Sequence, residues 1–227
     1  MIKQQKISLG QTGQATKKIN CSPTAKNLEQ KEVLRSFASN QVTVIYGPPG
    51  TGKTLMATLW GLNEFLAGRY DKLIFTRPAV EAYGERLGYL PGDADEKIAP
   101  YMLPIVSFIL DKIDSKFLDN LIKEKRIMTI PLAYMRGMTF SNSFVLLDEA
   151  QNCVPQQLRL FLTRLGENSK AVVTGDVNQS DLGINNGLTD IINRLGDIEG
   201  LGIHKLTTES VFRSEIVKKI ENRYLET

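Results

Sequence analysis

The sequence predicts an α/β fold, a parallel sheet with helices on both faces, and three observations lead there. Five short runs, VTVIY (42–46), KLIFTRP (72–78), SFVLLDEAQ (143–151), KAVVTGD (170–176) and LGIHKLT (201–207), are apolar and rich in β-branched residues, as strands buried on both faces are. Stretches of helical periodicity separate them, and strands alternating with helices make a parallel, doubly covered sheet. A glycine-dense turn, GPPGTGKT, joins the first strand to the first of those helices.

Taken in order, Val42–Tyr46 is the first strand, and Lys53–Leu66 follows as a helix with Leu55, Leu59, Leu62 and Leu66 on one face. The second strand is closed by Pro78, which has no N–H to donate. Glycine and proline then crowd AVEAYGERLGYLPGD into a loop, before a helical stretch from Asp95 to Leu110 and a short amphipathic helix in KFLDNLIKEK. Beyond the third strand, VPQQLRLFLTRLG places Leu158, Phe161, Leu162 and Leu165 on one helical face. After the fourth strand LTDIINRLG is helical, and after the fifth SEIVKKIENRYLE closes the chain as a helix.

At 227 residues and 42% hydrophobic content the chain can bury one sizeable core, so a single domain is expected. No run approaches the roughly 18 apolar residues of a membrane-spanning helix, and no secretory leader is evident, so the cytosol is the expected compartment. Cys21 and Cys153 are the only cysteines and His204 the only histidine, which argues against a disulfide framework, a zinc site or histidine-based hydrolysis. His204 sits in the apolar LGIHKL as a strand residue. Chemistry is left to carboxylates, lysine, arginine and a metal ion. Lys3, Lys6, Lys17, Lys18 and Lys26 all precede the first acidic residue, Glu29, whereas the whole chain carries only +3. Residues 1–22 are therefore read as a basic, aperiodic arm, and residues 23–227 as the domain.

The spacing Gly47, four residues, Gly52, Lys53, Thr54 is that of a phosphate-binding loop. Small residues let consecutive backbone N–H groups point at a nucleotide's phosphates, Lys reaches the β/γ oxygens, and the hydroxyl reaches Mg²⁺. Its cradle comprises Gly47, Pro48, Pro49, Gly50, Thr51, Gly52, Lys53, Thr54 and Leu55. The motif carries this meaning where it follows a strand and opens a helix, and the flanking runs satisfy both conditions. Asp148, at the end of the third strand, is the candidate that completes a Mg²⁺ shell with Thr54. Glu149 beside it is placed to orient and deprotonate an attacking water. The fourth strand ends in VTGDVNQSDL, presenting Thr174, Asp176 and Gln179 at the C-terminal edge where open α/β sheets bind ligands; Gln179 is the candidate sensor of water or γ-phosphate.

GPPGTGKT, RPAVEAYGERLGYLPGDADEKIAPYMLPI, PLAYMRGMTFSNSFVLLDEAQN, FLTRLGENSKAVVTGDVNQSDL and LTTESVFRSEIV together resemble the PhoH family of ATPases, from about residue 24 to the C-terminus. Against the family pattern this chain has Pro49 in place of Ala and an additional Tyr83. The resemblance implies a single RecA-like core of the superfamily-1 helicase type, with strands, numbered along the chain, in the order 5-1-4-3-2. It implies ATP and Mg²⁺ as cofactors and a role on single-stranded nucleic acid, RNA more than DNA. It also implies Gln30 as a reader of the adenine edge and Arg213, in LTTESVFRSEIV, as an arginine near the γ-phosphate. No second RecA-like core follows in this chain, so a neighbouring subunit is the expected donor of a further arginine, in a ring, a hexamer as for PhoH-like proteins. Arg136 and Arg164 are the candidates for that donor. Arg77, Arg86, Arg136 and the N-terminal lysines are candidate nucleic-acid contacts. The alternative is an oligomeric nucleotide-dependent switch acting on a protein partner.

Overall fold

The computed structural model describes residues 19–78 and 103–225. Most of the basic arm, the loop with Tyr83 and Arg86, and the start of the helical stretch from Asp95 lie outside the described residues. Helix α1 (Leu28–Ser39) is started by Asn27, whose side chain accepts the N–H of Gln30, and it buries Val33 and Phe37 one turn apart. Strand β1 (Val42–Tyr46) follows, then α2 (Lys53–Leu66), with the bounds the sequence predicts. Next come β2 (Lys72–Thr76), α3 (residues 103–110), α4 (Ser115–Lys123) and β3 (Ile127–Thr129). The remainder is β4 (Ser143–Leu147), α5 (Pro155–Leu162), β5 (Lys170–Gly175), α6 (Gly187–Arg194), β6 (Leu201–Lys205) and α7 (Glu215–Leu225).

All six strands are parallel, in the order β3-β2-β4-β5-β1-β6. The five strands foreseen in the sequence lie in the predicted order, and β3 is added at the far edge. Three residues are too few to show an alternating or apolar-run signature, which is why Ile127–Thr129 carries no strand signal of its own. Helix α1 likewise goes beyond the sequence prediction. The third predicted strand is shorter than expected, ending at Leu147, and α5 ends at Leu162, so Leu165 packs from beyond the helix.

The central strands β4 and β5 are buried along their whole length, and their side chains divide the core in two. On one face Phe75, Phe144 and Leu146 meet Phe37 of α1, Leu62 of α2 and Ile105 and Ile109 of α3. On the other Ile74, Val145 and Val173 meet Leu158 and Phe161 of α5 and Leu188 and Ile191 of α6. Trp60 lies between Phe37 and Phe144, with ring centroids 5.5 and 5.7 Å away. The buried face of α2 runs through Met56, Ala57, Leu59, Leu62 and Phe65, whereas Leu55 is 38% exposed and turns towards the sheet's C-terminal edge.

Gly61 is where α2 touches the sheet most closely: a Cβ built there lies 2.4 Å from the Phe144 ring. Alanine is worth about 1 kcal/mol over glycine inside a helix, but overpacking a filled core costs about 1–3 kcal/mol. Gly61→Ala is therefore expected to lower the midpoint of urea unfolding. An unchanged or raised midpoint shows that the Phe144 ring moves aside freely.

Candidate functional site

The parallel register brings the predicted residues to one edge. Thr76 pairs with Leu147 and Leu147 with Val173, so one step beyond them Arg77, Asp148 and Thr174 form a row across three adjacent strands, on the α2 side of the sheet. The backbone N–H of Asp148 is fixed to Thr76 O at 3.0 Å. Asp148 is 2% exposed and accepts four hydrogen bonds. Thr54 Oγ1 at 2.9 Å and Thr174 Oγ1 at 2.5 Å donate to its Oδ1; Arg77 Nε at 3.1 Å and Nη2 at 2.5 Å donate to Oδ2. Arg77, a candidate nucleic-acid contact by sequence, is thus committed to the carboxylate at the centre of the site.

Gly52 takes the left-handed conformation and gives α2 no side-chain cap, so the first-turn N–H groups of the helix are open to an anion. The loop before it is braced from three sides. Gly47 N donates to Gly175 O at 3.2 Å; a Cβ on Gly47, whose φ is +149°, would lie 2.1 Å from Leu206 O, so no side chain fits there. Phe212 N donates to Gly50 O at 3.1 Å, and the Arg213 side chain lies directly over Gly50, where a Cβ would come within 2.4 Å of its Nε. Gln30 is buried, donating from Nε2 to Thr51 O at 3.0 Å and accepting Lys26 N on Oε1 at 2.8 Å. With both ends of its amide engaged, Gln30 holds the loop from behind.

Lys53 Nζ donates to Gly47 O at 2.7 Å and Pro48 O at 2.9 Å. Burial presses its ammonium below the usual lysine range, Asp176, Asp148 and Glu149 pull it back, and Arg213 pushes it further down. Glu149 is in the left-handed region at φ 58°, ψ 40°, a costly conformation for a residue with a side chain and one that concentrates at functional sites. Gln151 donates to Glu149 Oε2 at 2.7 Å and accepts the Asp176 N–H at 3.0 Å, bridging β4's exit to β5's. No role for Gln151 is foreseen from sequence; its position two residues after Glu149 in DEAQ is the available signal. A pocket of about 250 Å³ is lined by Pro49, Gly50, Gly52, Lys53, Thr54, Leu55, Asp148, Glu149, Asp176 and Gln179, with Phe108 of α3 as a member the sequence does not reveal.

The segment that carries Arg213 is tied to α1. Glu29 accepts Thr207 N at 2.9 Å and Thr207 Oγ1 at 2.7 Å, and also the hydroxyl of Ser210. Burial raises the Glu29 carboxyl, but these bonds outweigh it and hold it below its usual range. Lys26 lies 4.7 Å from the centre of the Phe212 ring. Other sequence candidates sit away from the pocket. Arg136 is exposed beyond the 3₁₀ turn Leu132–Met135, whereas Arg164 is half-buried and bonds Met138 O and Thr163. His204, in β6, is half-buried, and burial lowers its pKa. Cys21 and Cys153 are buried free thiols, Cys153 pushed up to about 12 by burial. No helix among the described residues is long and apolar enough to cross a membrane.

Gln30→Leu keeps the volume and removes two buried hydrogen bonds, so a stability loss of about 1–3 kcal/mol is expected in urea unfolding. Unchanged stability would show that Gln30 is no brace.

Comparison with known proteins bears on the same residues. The family model for PhoH, PhoH-like protein, matches residues 23–225. The PhoH-like protein of Mycobacterium tuberculosis is 43% identical over 201 residues, 88% of this chain and 57% of its own length. That of Synechocystis is 41% identical over 202 residues, covering 88% and 61%. Protein PhoH of Escherichia coli is 36% identical over 204 residues, covering 88% and 57%. The chain therefore spans about three fifths of the length of these relatives. Among solved structures, the DUF1998 helicase MrfA bound to DNA aligns with a TM-score of 0.47 at 13% identity, over 86% of this chain and 28% of that one. With the family model reaching from ahead of α1 to the end of α7 and enclosing every residue of the site, the chain belongs to the PhoH family.

Proposed function

We propose that this chain binds ATP with Mg²⁺ and hydrolyses it, coupling the reaction to remodelling of, or movement along, single-stranded nucleic acid. The observation that carries the hydrolytic part is the hydrogen bond from Thr54 to a buried Asp148 at the opening of α2, with Lys53 one residue before and Glu149 one residue after. The metal fits this donor set. A hydroxyl and a carboxylate are hard oxygen ligands, and Mg²⁺ is usually held by one or two protein oxygens, with water and phosphates completing the shell. Thr54 and Asp148 would hold the ion, whose charge would offset that of the nucleotide's phosphates.

The chain's own groups supply the rest. The α2 N–H groups and Lys53 bind phosphate oxygens, the ammonium exchanging the Gly47 and Pro48 carbonyls for them. Glu149, steadied by Gln151, orients a water and takes its proton. Gln179 senses the γ-phosphate from the β5 exit, and Arg213, over Gly50, supplies a positive charge. The nucleic-acid part rests on the resemblance to PhoH proteins. Ring assembly, a hexamer, is part of the proposal, with Arg136 offered to the neighbouring site.

Glu149→Gln keeps the side chain's shape and removes its basicity. It is expected to bind ATP as wild type does while turnover falls by about two orders of magnitude or more; hydrolysis near the wild-type rate removes Glu149 as the base. Adding single-stranded RNA to the wild-type protein is expected to raise its ATPase rate. A rate indifferent to RNA and DNA favours a nucleotide-dependent switch on a protein partner.

For the assembly, Lys53→Ala and Arg136→Ala proteins are each expected to be inactive. Mixed, they regain activity at interfaces that join an intact site to an intact arginine. A monomer by light scattering whose specific activity is independent of protein concentration defeats the ring.

A further inference from the structure

The ion pair between Arg77 and Asp148 differs from its counterparts. Arg35–Glu32, Arg69–Glu64 and Arg194–Asp190 are surface pairs whose arginine side chains are 61%, 54% and 74% exposed. In the Arg77–Asp148 pair the two side chains are 18% and 3% exposed. An ionised carboxylate offers about four lone-pair sites, and Asp148 uses all of them, two hydroxyls on Oδ1 and the two guanidinium N–H groups on Oδ2. A divalent ion that joins this carboxylate, directly or through a bound water, must take the place of one donor. Thr174 is buried within β5. Thr54 can turn a lone pair towards an ion while its proton stays on Asp148. Arg77 is left: it is the cation of the set, it is partly exposed, and it follows the last residue of β2 rather than lying inside a strand.

We propose that Arg77 is a positioning residue that stands in for the divalent cation at Asp148 Oδ2 and gives way to it, so that metal loading and release of the guanidinium are one exchange. The inference rests on the assignment of Thr54 and Asp148 to the metal. Two cations beside one buried carboxylate repel strongly where the dielectric is low. Arg77 thereby holds the Asp148 carboxylate in its orientation before the metal arrives, and lowers apparent metal affinity by the cost of its own displacement. The exchange couples the metal to the exit of β2, a strand separated from the phosphate loop's strand by β4 and β5 in the sheet.

The test is Mn²⁺ binding to the full chain with ADP, followed by electron paramagnetic resonance of free Mn²⁺, in wild type, Arg77→Gln and Arg77→Lys. Removing the competing charge is expected to tighten Mn²⁺ about tenfold in Arg77→Gln, with ADP affinity in the absence of metal unchanged. Arg77→Lys, which keeps the charge but not the fork, falls between. Thermal unfolding is the second readout: Arg77→Gln melts below wild type without metal, and Mn²⁺–ADP closes the gap. Equal or weaker Mn²⁺ affinity in folded Arg77→Gln, or a melting gap that metal leaves untouched, overturns the exchange. If Arg77→Gln does not fold, Arg77→Lys decides: tighter Mn²⁺ than wild type supports the exchange, and equal affinity overturns it. Wild-type protein that takes up ADP but no Mn²⁺ overturns the metal assignment itself, and this inference with it.

Discussion

A carboxylate withdrawn from water sets the terms for this protein. Asp148 is held in a place where an ionised group survives only if its lone pairs are filled, and its four donors come from α2, the end of β2 and β5. None of those segments can shift by a residue without stranding the charge. Strand register, the seating of α2 and the position of the phosphate loop are thereby tied to one atom group. The parallel sheet makes such a convergence possible, because all strands end on the same side and a row one step past the last paired residues faces α2.

Around that fixed point the site is held by bonds from segments distant in sequence. Gln151 links the exits of β4 and β5, Gln30 backs the phosphate loop from α1, and Glu29 fastens α1 to the segment that lays Arg213 over Gly50. The left-handed backbone at Glu149 belongs with these. A strained residue persists where its surroundings determine its conformation, and the Gln151 bond to its carboxylate ties that side chain to the exit of β5.

The sequence made the phosphate loop, α2, Asp148 and five of the six strands legible, because each is encoded by neighbours: fixed glycine spacing, an unbroken apolar run, a carboxylate directly after it. What it concealed is what depends on register. Arg77 is 71 residues from Asp148, and a charge in a loop is the plain reading until the strands are paired. Gln30 was visible as a residue ahead of the loop through family resemblance, but its bond to Thr51 depends on how α1 packs. Phe108 reaches the pocket only because α3 lies over the sheet. Strand β3, at three residues, is short enough that tertiary pairing alone defines it.

Gly47 shows a different limit of motif logic. Its missing side chain is required by Leu206, whose carbonyl oxygen occupies the space a Cβ would take. The first letter of the nucleotide-binding pattern is therefore answered by the protein's own backbone rather than by phosphate. A descendant of this chain that abandoned nucleotides altogether would still be obliged to keep that glycine, whereas Lys53, whose ammonium bonds the loop's own carbonyls, would be released to drift. In this fold the lysine is the informative letter, and the glycine attests to architecture.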